Sequence, residues 1–332
     1  MDEIITLDYG SGGKKTSRLI EQTIVPAMDN PMLAELGDGA ILPGGETLVF
    51  STDSFVVSPR FFPGGDIGKL AVCGTVNDLA MCGGEPKYLS CSFIIEEGLP
   101  SAELEKIVAS MAAAAKKAGV QIVTGDTKVV EKGRGDGIYI NTAGIGVLRY
   151  PGLSHRAIRP GDAVLVSGTV GDHGTAVMLA RNDLAQGEIV SDCAALNGLA
   201  AALLEAVPQT RVLRDPTRGG VATTLNEFIE GTSLGIELDE KAVPVRPAVQ
   251  AACELLGLDP LYCANEGKLL AVVSQEKAEE ALQALRSLPE GENAARIGTV
   301  TGDYPGKLVM KTPLGGRRVL QKLTGAQLPR IC

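Results

Sequence analysis

The chain has 332 residues, a formal net charge of −9, 45% apolar residues and only 4% aromatic residues. This acidic balance argues against a nucleic-acid-binding protein, which needs a basic face. The sequence has no apolar run long enough to span a membrane, and Met1-Asp2-Glu3 is the opposite of the basic start of a signal peptide. We therefore expect a cytoplasmic protein, large enough for two domains, that binds neither nucleic acid nor a membrane.

Strand and helix signals alternate along the first half of the chain. Asp66 is predicted to cap a helix that runs to Met81, because apolar residues follow it at helical spacing. Ser101 is predicted to cap a second helix, which ends in a basic turn followed by Gly119. The predicted strands of this half are Thr47–Asp53, Lys87–Ile95, Val120–Thr124 and Gly137–Leu148.

A turn-rich stretch between Pro151 and Pro160 separates the two halves. The predicted helices beyond it are His173–Ala180, Cys193–Ala206, Gly220–Glu230, Pro247–Leu256 and Glu276–Leu288. The predicted strands are Ala163–Ser167, Leu234–Leu238, Lys268–Ser274, Ala295–Val300, Lys307–Lys311 and Arg317–Leu323. We expect an α/β (α+β) fold of two mixed-sheet-plus-helix domains, residues 1–155 and 156–325, followed by a flexible tail, residues 326–332.

The last residue, Cys332, offers a thiol at the end of this tail. Pro329 interrupts regular structure before it, and Arg330 is expected to place a positive charge beside the sulfur. Such a thiol can carry an acyl or carbamoyl group into a distant site, or it can simply end a frayed terminus. The other six cysteines contain no C-x-x-C pair, and we expect them to be buried, reduced thiols.

Five aspartates are candidate ligands for a cation. Four are predicted at turns (Asp38, Asp53, Asp126 and Asp215), and Asp78 lies inside the first long helix beside core-like residues. Each turn aspartate by itself could equally form an Asx turn or a cap. Scattered carboxylates are also the ligands of Mg²⁺ that carries substrate phosphates, and five of them beside glycine-rich loops favour that function.

The loop Gly10–Lys14 has the composition of a phosphate cradle, with flexible backbone N–H groups followed by lysine. It is not a Walker A loop, since position 8 is Asp8 where that pattern requires glycine. No G-x-G-x-x-G follows a predicted strand either, so a Rossmann cofactor is not expected.

Several motifs occur in an order that resembles the aminoimidazole ribonucleotide synthetase-like (PurM-like) superfamily. They are Gly10–Lys14, Gly37–Ala40, Thr52–Ser54, Val76–Ala80, Gly125–Lys128 and Asp215–Gly220. Within that superfamily, three further features are similar to the HypE family of [NiFe]-hydrogenase maturation factors: Thr124–Lys128, Asn265–Gly267 and the terminal Pro329–Cys332. The resemblance spans essentially the whole chain.

The resemblance implies an ATP-dependent carbamoyl dehydratase. In that family a HypF-type carbamoyltransferase loads the terminal cysteine, and the thiocarboxamide is then dehydrated with ATP to a protein thiocyanate. The cyanide passes to iron on a HypC–HypD-type complex and becomes a ligand of the hydrogenase. The resemblance also implies a homodimer in which the sheets of the N-terminal domains pair, with the nucleotide site in or beside the interface.

Residue roles carry over motif by motif, with ATP and Mg²⁺ as cofactors. Cys332 would carry the carbamoyl group, Lys128 would neutralise phosphate charge, and Glu266 would accept a proton. The implied metal ligands are Asp38, Asp53, Asp78 and Asp215, with Asp126 as a further candidate. The implied nucleotide contacts are Gly12, Gly13, Lys14, Gly125, Asp126 and Thr127. Phe55, Val56 and Val57 could wall the adenine or belong to the core.

Two alternatives differ in class. Selenophosphate synthetase shares the fold and the aspartates but carries cysteine or selenocysteine in its N-terminal glycine loop, whereas Gly10-Ser11-Gly12-Gly13 has no sulfur. A non-enzymatic maturation scaffold could use the terminal thiol only to bind metal, although one cysteine without neighbouring ligands is a poor metal site. ATP hydrolysis discriminates the enzyme from the scaffold.

Overall fold

The structure is a computed structural model that describes residues 4–6, 19–28, 30, 47–184, 187–322, 328 and 330–332. Two β-sheets organise these residues, one in each half of the chain, and helices pack on both sheets. The predicted class, two units that each combine a mixed sheet with helices, is confirmed. Within the described ranges, no helix combines the length and apolar character needed to cross a membrane.

The N-terminal half is built on a sheet of four strands in the order β1-β6-β4-β5. These strands are β1 (Leu48–Phe55), β4 (Gly84–Glu96), β5 (Gln121–Val130) and β6 (Ile138–Leu148), and a small ladder joins β2 (Phe61–Phe62) to β3 (Gly65–Asp66). The helices of this half are α1 (Val25–Met28), which follows a π-helical turn at Ile20–Ile24, α2 (Ile67–Met81) and α3 (Ser101–Ala118).

The helix α2 begins and ends close to its predicted limits. Its N-cap is Asp66, whose carboxylate accepts hydrogen bonds from the backbone N–H groups of Gly68 and Lys69 at 2.7 and 3.2 Å. Its residues are almost all buried, because the helix lies between the sheet and α3. The helix α3 also begins at Ser101, but its N-cap position is Pro100, one residue earlier than predicted.

The C-terminal half is built on a sheet of seven strands in the order β13-β12-β9-β11-β7-β10-β8. The strands are β7 (Ala163–Val166), β8 (Val212–Arg214), β9 (Gly235–Asp239), β10 (Leu270–Val273), β11 (Ala295–Thr301), β12 (Leu308–Lys311) and β13 (Arg317–Leu320). The helices are α4 (Asp172–Arg181), α5 (Asn197–Ala206), α6 (Gly220–Ile229), α7 (Pro247–Leu256) and α8 (Ala278–Arg286). Short 3₁₀ turns occur at His155–Ala157, Glu240–Ala242, Pro260–Tyr262, Gln275–Lys277 and Pro289–Gly291. The strand β8 was not predicted, because three residues carry too little periodicity.

Two of the predicted turn aspartates lie inside strands instead. Asp53 belongs to β1, and Asp126 belongs to β5, which continues to Val130. The turn-like composition of Gly125–Lys128 misled the prediction, because parallel pairing with β4 holds this segment extended.

The register of the first sheet puts its polar residues on two different faces. Asp53 pairs with Thr142, whose hydroxyl donates to the carbonyl of Ala71 in α2 at 2.8 Å, so Asp53 faces the helix layer. Asp126 and Lys128 alternate with Gly125 and Thr127 on β5, and Lys128 pairs with the exposed Ile94 of β4. These two side chains therefore lie on the outer face of the sheet, opposite to Asp53.

Gly125 has a steric reason to be glycine that does not depend on any phosphate. A Cβ atom at this position would lie 2.1 Å from the carbonyl oxygen of Cys91 on the paired strand. We predict that Gly125→Ala lowers the free energy of unfolding by about 1–3 kcal/mol, because the backbone oxygen cannot move without opening the ladder. Urea denaturation followed by circular dichroism measures this change.

The matched control is Gly198→Ala. Gly198 is an exposed residue of α5, and a Cβ atom there would have no heavy atom within 4 Å. Because alanine is favoured over glycine in a helix, this control should leave the stability unchanged or raise it slightly. Equal stabilities for the two variants would contradict the steric account of Gly125.

Candidate active site

A pocket of about 640 Å³ opens between the two halves of the chain. Its wall carries the side chains of Asp53, Asp78, Asp215 and Glu266 together with Cys332. The structure thus gathers residues from β1, α2, the segment after β8, the segment before β10 and the end of the chain. Most of the predicted metal ligands and two of the three predicted catalytic residues meet here.

Asp53 and Asp78 supply the N-terminal side of the pocket. The hydroxyl of Ser51 donates to Asp78 Oδ2 at 2.7 Å, and the N–H of Ser54 donates to Asp53 Oδ1 at 2.8 Å. Burial raises the pKa of Asp78, and the nearby charge of Asp53 raises it further, although the bond from Ser51 opposes both. A cation bound beside these carboxylates would lower their pKa values and so offset the effect of burial.

Asp215 supplies the C-terminal side of the pocket, directly after β8. It is 6% exposed, and burial followed by repulsion from Asp78 raises its pKa to about 7. The neighbouring carbonyl of Pro216 accepts hydrogen bonds from the backbone and side-chain nitrogens of Asn265, both at 3.1 Å. The loop of Asp215 is therefore tied to the segment that carries Glu266.

Glu266 is the most enclosed of the acids, with 2% of its surface exposed. Its Oε1 atom has no hydrogen-bond partner among the described residues. Burial, then the charge of Asp215, raises the pKa of Glu266 well above its ordinary value. A buried oxygen without a partner is a position where a ligand atom or an ion would be stabilised.

The backbone of Glu266 is fixed from both sides. Its N–H donates to Asp192 Oδ1 at 3.0 Å, and its carbonyl accepts from Asn77 Nδ2 at 3.4 Å. Asp192 in turn lies 3.3 Å from the ammonium group of Lys268. At the next residue, a Cβ atom on Gly267 would lie 1.8 Å from the Asp192 carbonyl oxygen, so only glycine fits. Close backbone packing therefore orients Glu266 into the pocket.

Cys332 brings the thiol into the same pocket. Its backbone oxygen accepts from the N–H of Val56 at 3.0 Å, and Ile331 beside it is 3% exposed in the N-terminal core. The end of the chain is thus packed, in contrast to a frayed terminus. Burial, then the charge of Glu266, raises the pKa of the Cys332 thiol to about 12, so the sulfur is protonated in this state.

The expected role of Arg330 beside the sulfur is wrong. Its guanidinium forms an ion pair with Asp136, and its Nε donates to the carbonyl of Val56 at 3.0 Å. The cation whose charge lowers the pKa of Cys332 is Arg218, which lines the pocket. The expectation for the other cysteines also needs one correction, because Cys82 is an exposed thiol on the pocket wall while the remaining five are buried.

The fit of Mg²⁺ can be judged from the donors. Within the described ranges, no three His, Cys, Asp or Glu side chains converge on one ion position. Mg²⁺ commonly takes one or two carboxylates and completes its octahedron with water and phosphate oxygens. Asp78 and Asp215 fit that use, since Asp78 is half-buried, Asp215 is buried, and both have raised pKa values that a cation would lower. Asp38 lies outside the described residues.

The predicted nucleotide contacts that the structure describes do not line this pocket. Gly12, Gly13 and Lys14 lie outside the described residues. Gly125, Asp126, Thr127 and Lys128 are on β5, where Lys128 Nζ lies 2.8 Å from Asp126 Oδ1 on the outer face of the sheet. Sequence proximity could not show this, because face assignment follows from the strand register.

Two of the three residues considered as contacts of the adenine belong to the core instead. Phe55 and Val57 are 1% and 3% exposed and belong to the N-terminal core. The ring of Phe55 would lie 2.9 Å from a Cβ atom on Gly74 of α2, so it fills the space between strand and helix. Val56 contributes its backbone to the docking of Cys332.

Two residues of the pocket wall, Ser51 and Arg218, and one residue behind it, Asn77, were not assigned a role from the sequence. Ser51 donates to Asp78, Asn77 fixes the Glu266 backbone, and Arg218 supplies positive charge among the acids. Arg218 belongs to the Asp215–Gly220 motif, but the sequence analysis assigned a role only to Asp215 in that motif. Ser51 gave no sequence signal, because serine in a strand has no distinctive spacing.

Comparison with known protein families gives the identity of the fold. The AIR synthase related protein family matches in two parts, its N-terminal domain over residues 36–148 and its C-terminal domain over residues 159–311. The chain is also 54% identical to the carbamoyl dehydratase HypE of Azotobacter vinelandii, over 99% of this chain and 97% of that protein. The chain belongs to the HypE carbamoyl dehydratase family.

Solved HypE structures agree with this assignment. A crystal structure of HypE in complex with ATP superposes with a TM-score of 0.95 at 52% identity, covering 98% of this chain and 99% of that chain. A HypE–HypF complex matches with a TM-score of 0.79 at 50% identity, covering 92% and 99% of the two chains. The predicted family and fold, and the predicted function of an ATP-dependent carbamoyl dehydratase in hydrogenase maturation, are thereby confirmed.

The raised pKa of Asp215 predicts a pH-dependent penalty on stability. The folded pKa of about 7 exceeds the ordinary value of 3.8, so between these pH values the folded protein holds a proton that the unfolded chain has released. The free energy of unfolding therefore falls as pH rises through this window and stays lower above it. Asp215→Asn removes the penalty, and we predict a gain of at least ~1 kcal/mol at pH 8.

Thermal melts of the magnesium-free protein at pH 4 and pH 8 test this prediction. The gain for Asp215→Asn should be present at pH 8 and small at pH 4, because pH 4 lies only just above the ordinary value of 3.8, where the folded and unfolded states begin to differ in bound protons. Asp303→Asn, which removes an exposed carboxylate away from the pocket, serves as the control and should not show this difference. An equal or lower melting temperature at pH 8 for the Asp215 variant would contradict the burial argument.

Proposed function

We propose that Cys332 is the group carrier of this HypE-family protein and that its thiocarboxamide is dehydrated in the pocket between the two halves. The supporting observation is that the terminal thiol shares one pocket with Glu266, whose Oε1 has no partner among the described residues, and with three aspartates. A carbamoyl group on the sulfur would extend into the space that these acids surround.

The reaction transfers the carbonyl oxygen of the thiocarboxamide to phosphate. That oxygen attacks the γ-phosphorus of ATP, and the bond to ADP breaks. The carbon–oxygen bond then breaks as phosphate leaves with the oxygen, and both N–H protons are lost to give the S–C≡N group. Phosphorylation is needed because an amide oxygen is otherwise a poor leaving group.

Glu266 is positioned to accept one of those protons. Its raised pKa makes the carboxylate of Glu266 a stronger base than the carboxylate of an exposed glutamate. Mg²⁺ with its nucleotide phosphates would be held by Asp53, Asp78 and Asp215, together with Asp38, and would supply positive charge to this acidic pocket. Arg218 adds a second source of positive charge beside the sulfur.

The nucleotide is proposed to reach the pocket around the edge strand β1. Phe50 of β1 is 67% exposed and still lines the pocket, so the pocket and the outer face of the sheet are continuous there. Lys128, with Gly125, Asp126 and Thr127, would contact phosphates from that outer face, and Gly12, Gly13 and Lys14 would complete the cradle. This arrangement gives Lys128 a role although its side chain is outside the pocket of a single chain.

A homodimer is proposed to cover the outer face of the first sheet. Leu48, Phe50 and Ile94 are 51%, 67% and 45% exposed on β1 and β4. Apolar residues of this size on one sheet face favour burial against a second sheet. The nucleotide site would then lie in or beside the dimer interface, next to Lys128.

The remaining assignments follow from family membership. We propose a HypF-type carbamoyltransferase as the partner that loads Cys332, and a HypC–HypD-type complex as the acceptor of cyanide, in the cytoplasm. The two domains are proposed to meet near residue 155, with residues 326–332 as a tail that can leave the pocket. The match to HypE at 54% identity supports the dehydratase over a selenophosphate synthetase or a non-enzymatic scaffold.

Intact-mass analysis of the C-terminal peptide tests the carrier role of Cys332. After incubation with carbamoyl donor, HypF-type enzyme and ATP, the wild-type peptide should gain a carbamoyl group and then lose the mass of one water. Cys332→Ser should give neither product, because the hydroxyl group is a far weaker nucleophile than a thiolate.

Cys82→Ser is the matched control, because Cys82 is the exposed thiol on the same pocket wall. It should retain both mass changes on the C-terminal peptide. Appearance of the nitrile on another cysteine of the Cys332→Ser protein would show that this assignment of the carrier is wrong.

The proposed dimer is tested by Ile94→Glu. A charged side chain at this position would be buried against the second sheet, so we expect the dimer to dissociate at micromolar concentration. Light scattering coupled to size exclusion measures the mass. Leu314→Glu, at a 99% exposed leucine between β12 and β13, is the control and should remain dimeric. A wild-type monomer, or a dimer unaffected by Ile94→Glu, would refute the proposed interface.

A further inference from the structure

The last three residues are held by their backbone carbonyl groups. The oxygen of Arg330 accepts from Arg181 Nη2 at 2.7 Å and from the N–H of Ser58 at 3.2 Å. The oxygen of Ile331 accepts from His173 Nε2 at 2.9 Å, and that of Cys332 accepts from the N–H of Val56 at 3.0 Å. Every one of these consecutive oxygens therefore has a donor from the body of the protein.

The position of the proton on His173 is set by Ser191, which does not belong to the tail. The N–H of Cys193 donates to Ser191 Oγ at 3.1 Å, which leaves the Ser191 hydroxyl proton to donate to His173 Nδ1 at 2.8 Å. Because Nδ1 accepts, the neutral ring carries its proton on Nε2, facing the carbonyl of Ile331. The ring of Phe62 contacts the imidazole edge-on, with centroids 5.4 Å apart, and fixes its orientation.

The side chains of His173 and Arg181 have hydrogen-bond donors that are satisfied by the docked tail. His173 is 0% exposed with the tail in place, and its Nε2–H donates there to the carbonyl of Ile331, so this hydrogen bond is buried. Arg181 also donates from Nε to the carbonyl of Ser58 at 2.8 Å, which anchors its guanidinium to the strand extension that the tail contacts. A buried donor whose partner is one backbone carbonyl stabilises the arrangement in which that carbonyl is in place.

Loading and dehydration make opposite demands on this contact. In the docked state the Cys332 thiol is half-buried and its pKa is raised, which makes it a poor nucleophile for a carbamoyltransferase. Dehydration, in contrast, requires the sulfur beside Glu266. The tail must therefore exchange between a docked and a released state, and the hydrogen bonds to its backbone set the balance.

Resting on the proposed carrier role of Cys332, we propose that His173 and Arg181 form a latch that positions the loaded tail for dehydration. Neither residue touches the reacting atoms. His173 holds the peptide group next to the carrier cysteine, and Arg181 holds the one before it. The latch reads only backbone atoms, so it accepts the thiol, thiocarboxamide and thiocyanate forms of the tail alike.

Alkylation of Cys332 by iodoacetamide, followed by peptide mass analysis, tests the latch without any enzymatic activity. His173→Phe keeps an aromatic ring and removes the donor, so the docked state loses a buried hydrogen bond. We expect Cys332 to be alkylated about tenfold faster than in the wild type. Exposed Cys82 is the internal reference, and its alkylation rate should not change. His173→Gln, whose amide can place a donor near the position of Nε2, should restore slow alkylation.

Single-turnover assays then separate the two half-reactions. In His173→Phe, carbamoyl loading should be as fast as in the wild type or faster, while dehydration should slow about tenfold, since fewer molecules are docked. A merely structural role would slow both steps and lower the melting temperature. Arg181→Met removes the other donor at a partly exposed position and decides the outcome if the phenylalanine variant does not fold.

Unchanged Cys332 alkylation in both folded variants would overturn the latch. If the variants are alkylated faster but the wild type never forms a thiocyanate, the latch is supported and the proposed function is refuted.

Discussion

Carboxyl groups and a thiol lie close together in one pocket, where each is at least partly buried, and the chemistry of the site depends on this arrangement. Burial opposes ionisation of each group, and every ionised neighbour opposes it further. The result is a pKa of about 7 for Asp215 and about 12 for the Cys332 thiol. A pocket in this condition gains stability from cations, which is why a nucleotide carrying Mg²⁺ suits it.

The pocket exists because helix α2 is attached to both halves of the chain. Asn77 donates to the carbonyls of Ala194 and Glu266, and its Oδ1 accepts from the N–H of Leu196. The next residue on the helix, Asp78, faces the pocket. Two adjacent residues therefore have different roles. Asn77 holds the two halves together, and Asp78 supplies negative charge to the pocket between them.

The first sheet separates two groups of polar residues that the motifs suggested would act together. Asp53 faces the helices and the pocket, whereas Asp126 and Lys128 face the opposite side. At the edge strand β1 the two sides of the sheet come together, because Phe50 is 67% exposed and also lines the pocket. This geometry explains why a second copy of the chain on the outer face would influence a site on the inner one.

The elements that could be predicted from the sequence are those with a local physical cause. The Asp66 cap, the helix limits at Met81 and Gly119 and the mixed order of strands and helices follow from capping and periodicity, and they were predicted within a few residues. The ordered motifs likewise identified the family and the acids that could meet. These features need no knowledge of distant contacts.

Features that depend on strand register and burial could be established only from the three-dimensional structure. Pairing with β4 turned the Gly125–Lys128 segment into a strand and put Lys128 on the outer face. Packing against the N-terminal core docked Cys332 and directed Arg330 to Asp136, away from the sulfur. A strand's facing changes with a shift of one residue, and a side chain's pKa changes with its neighbours in space, so neither can be read from spacing along the chain.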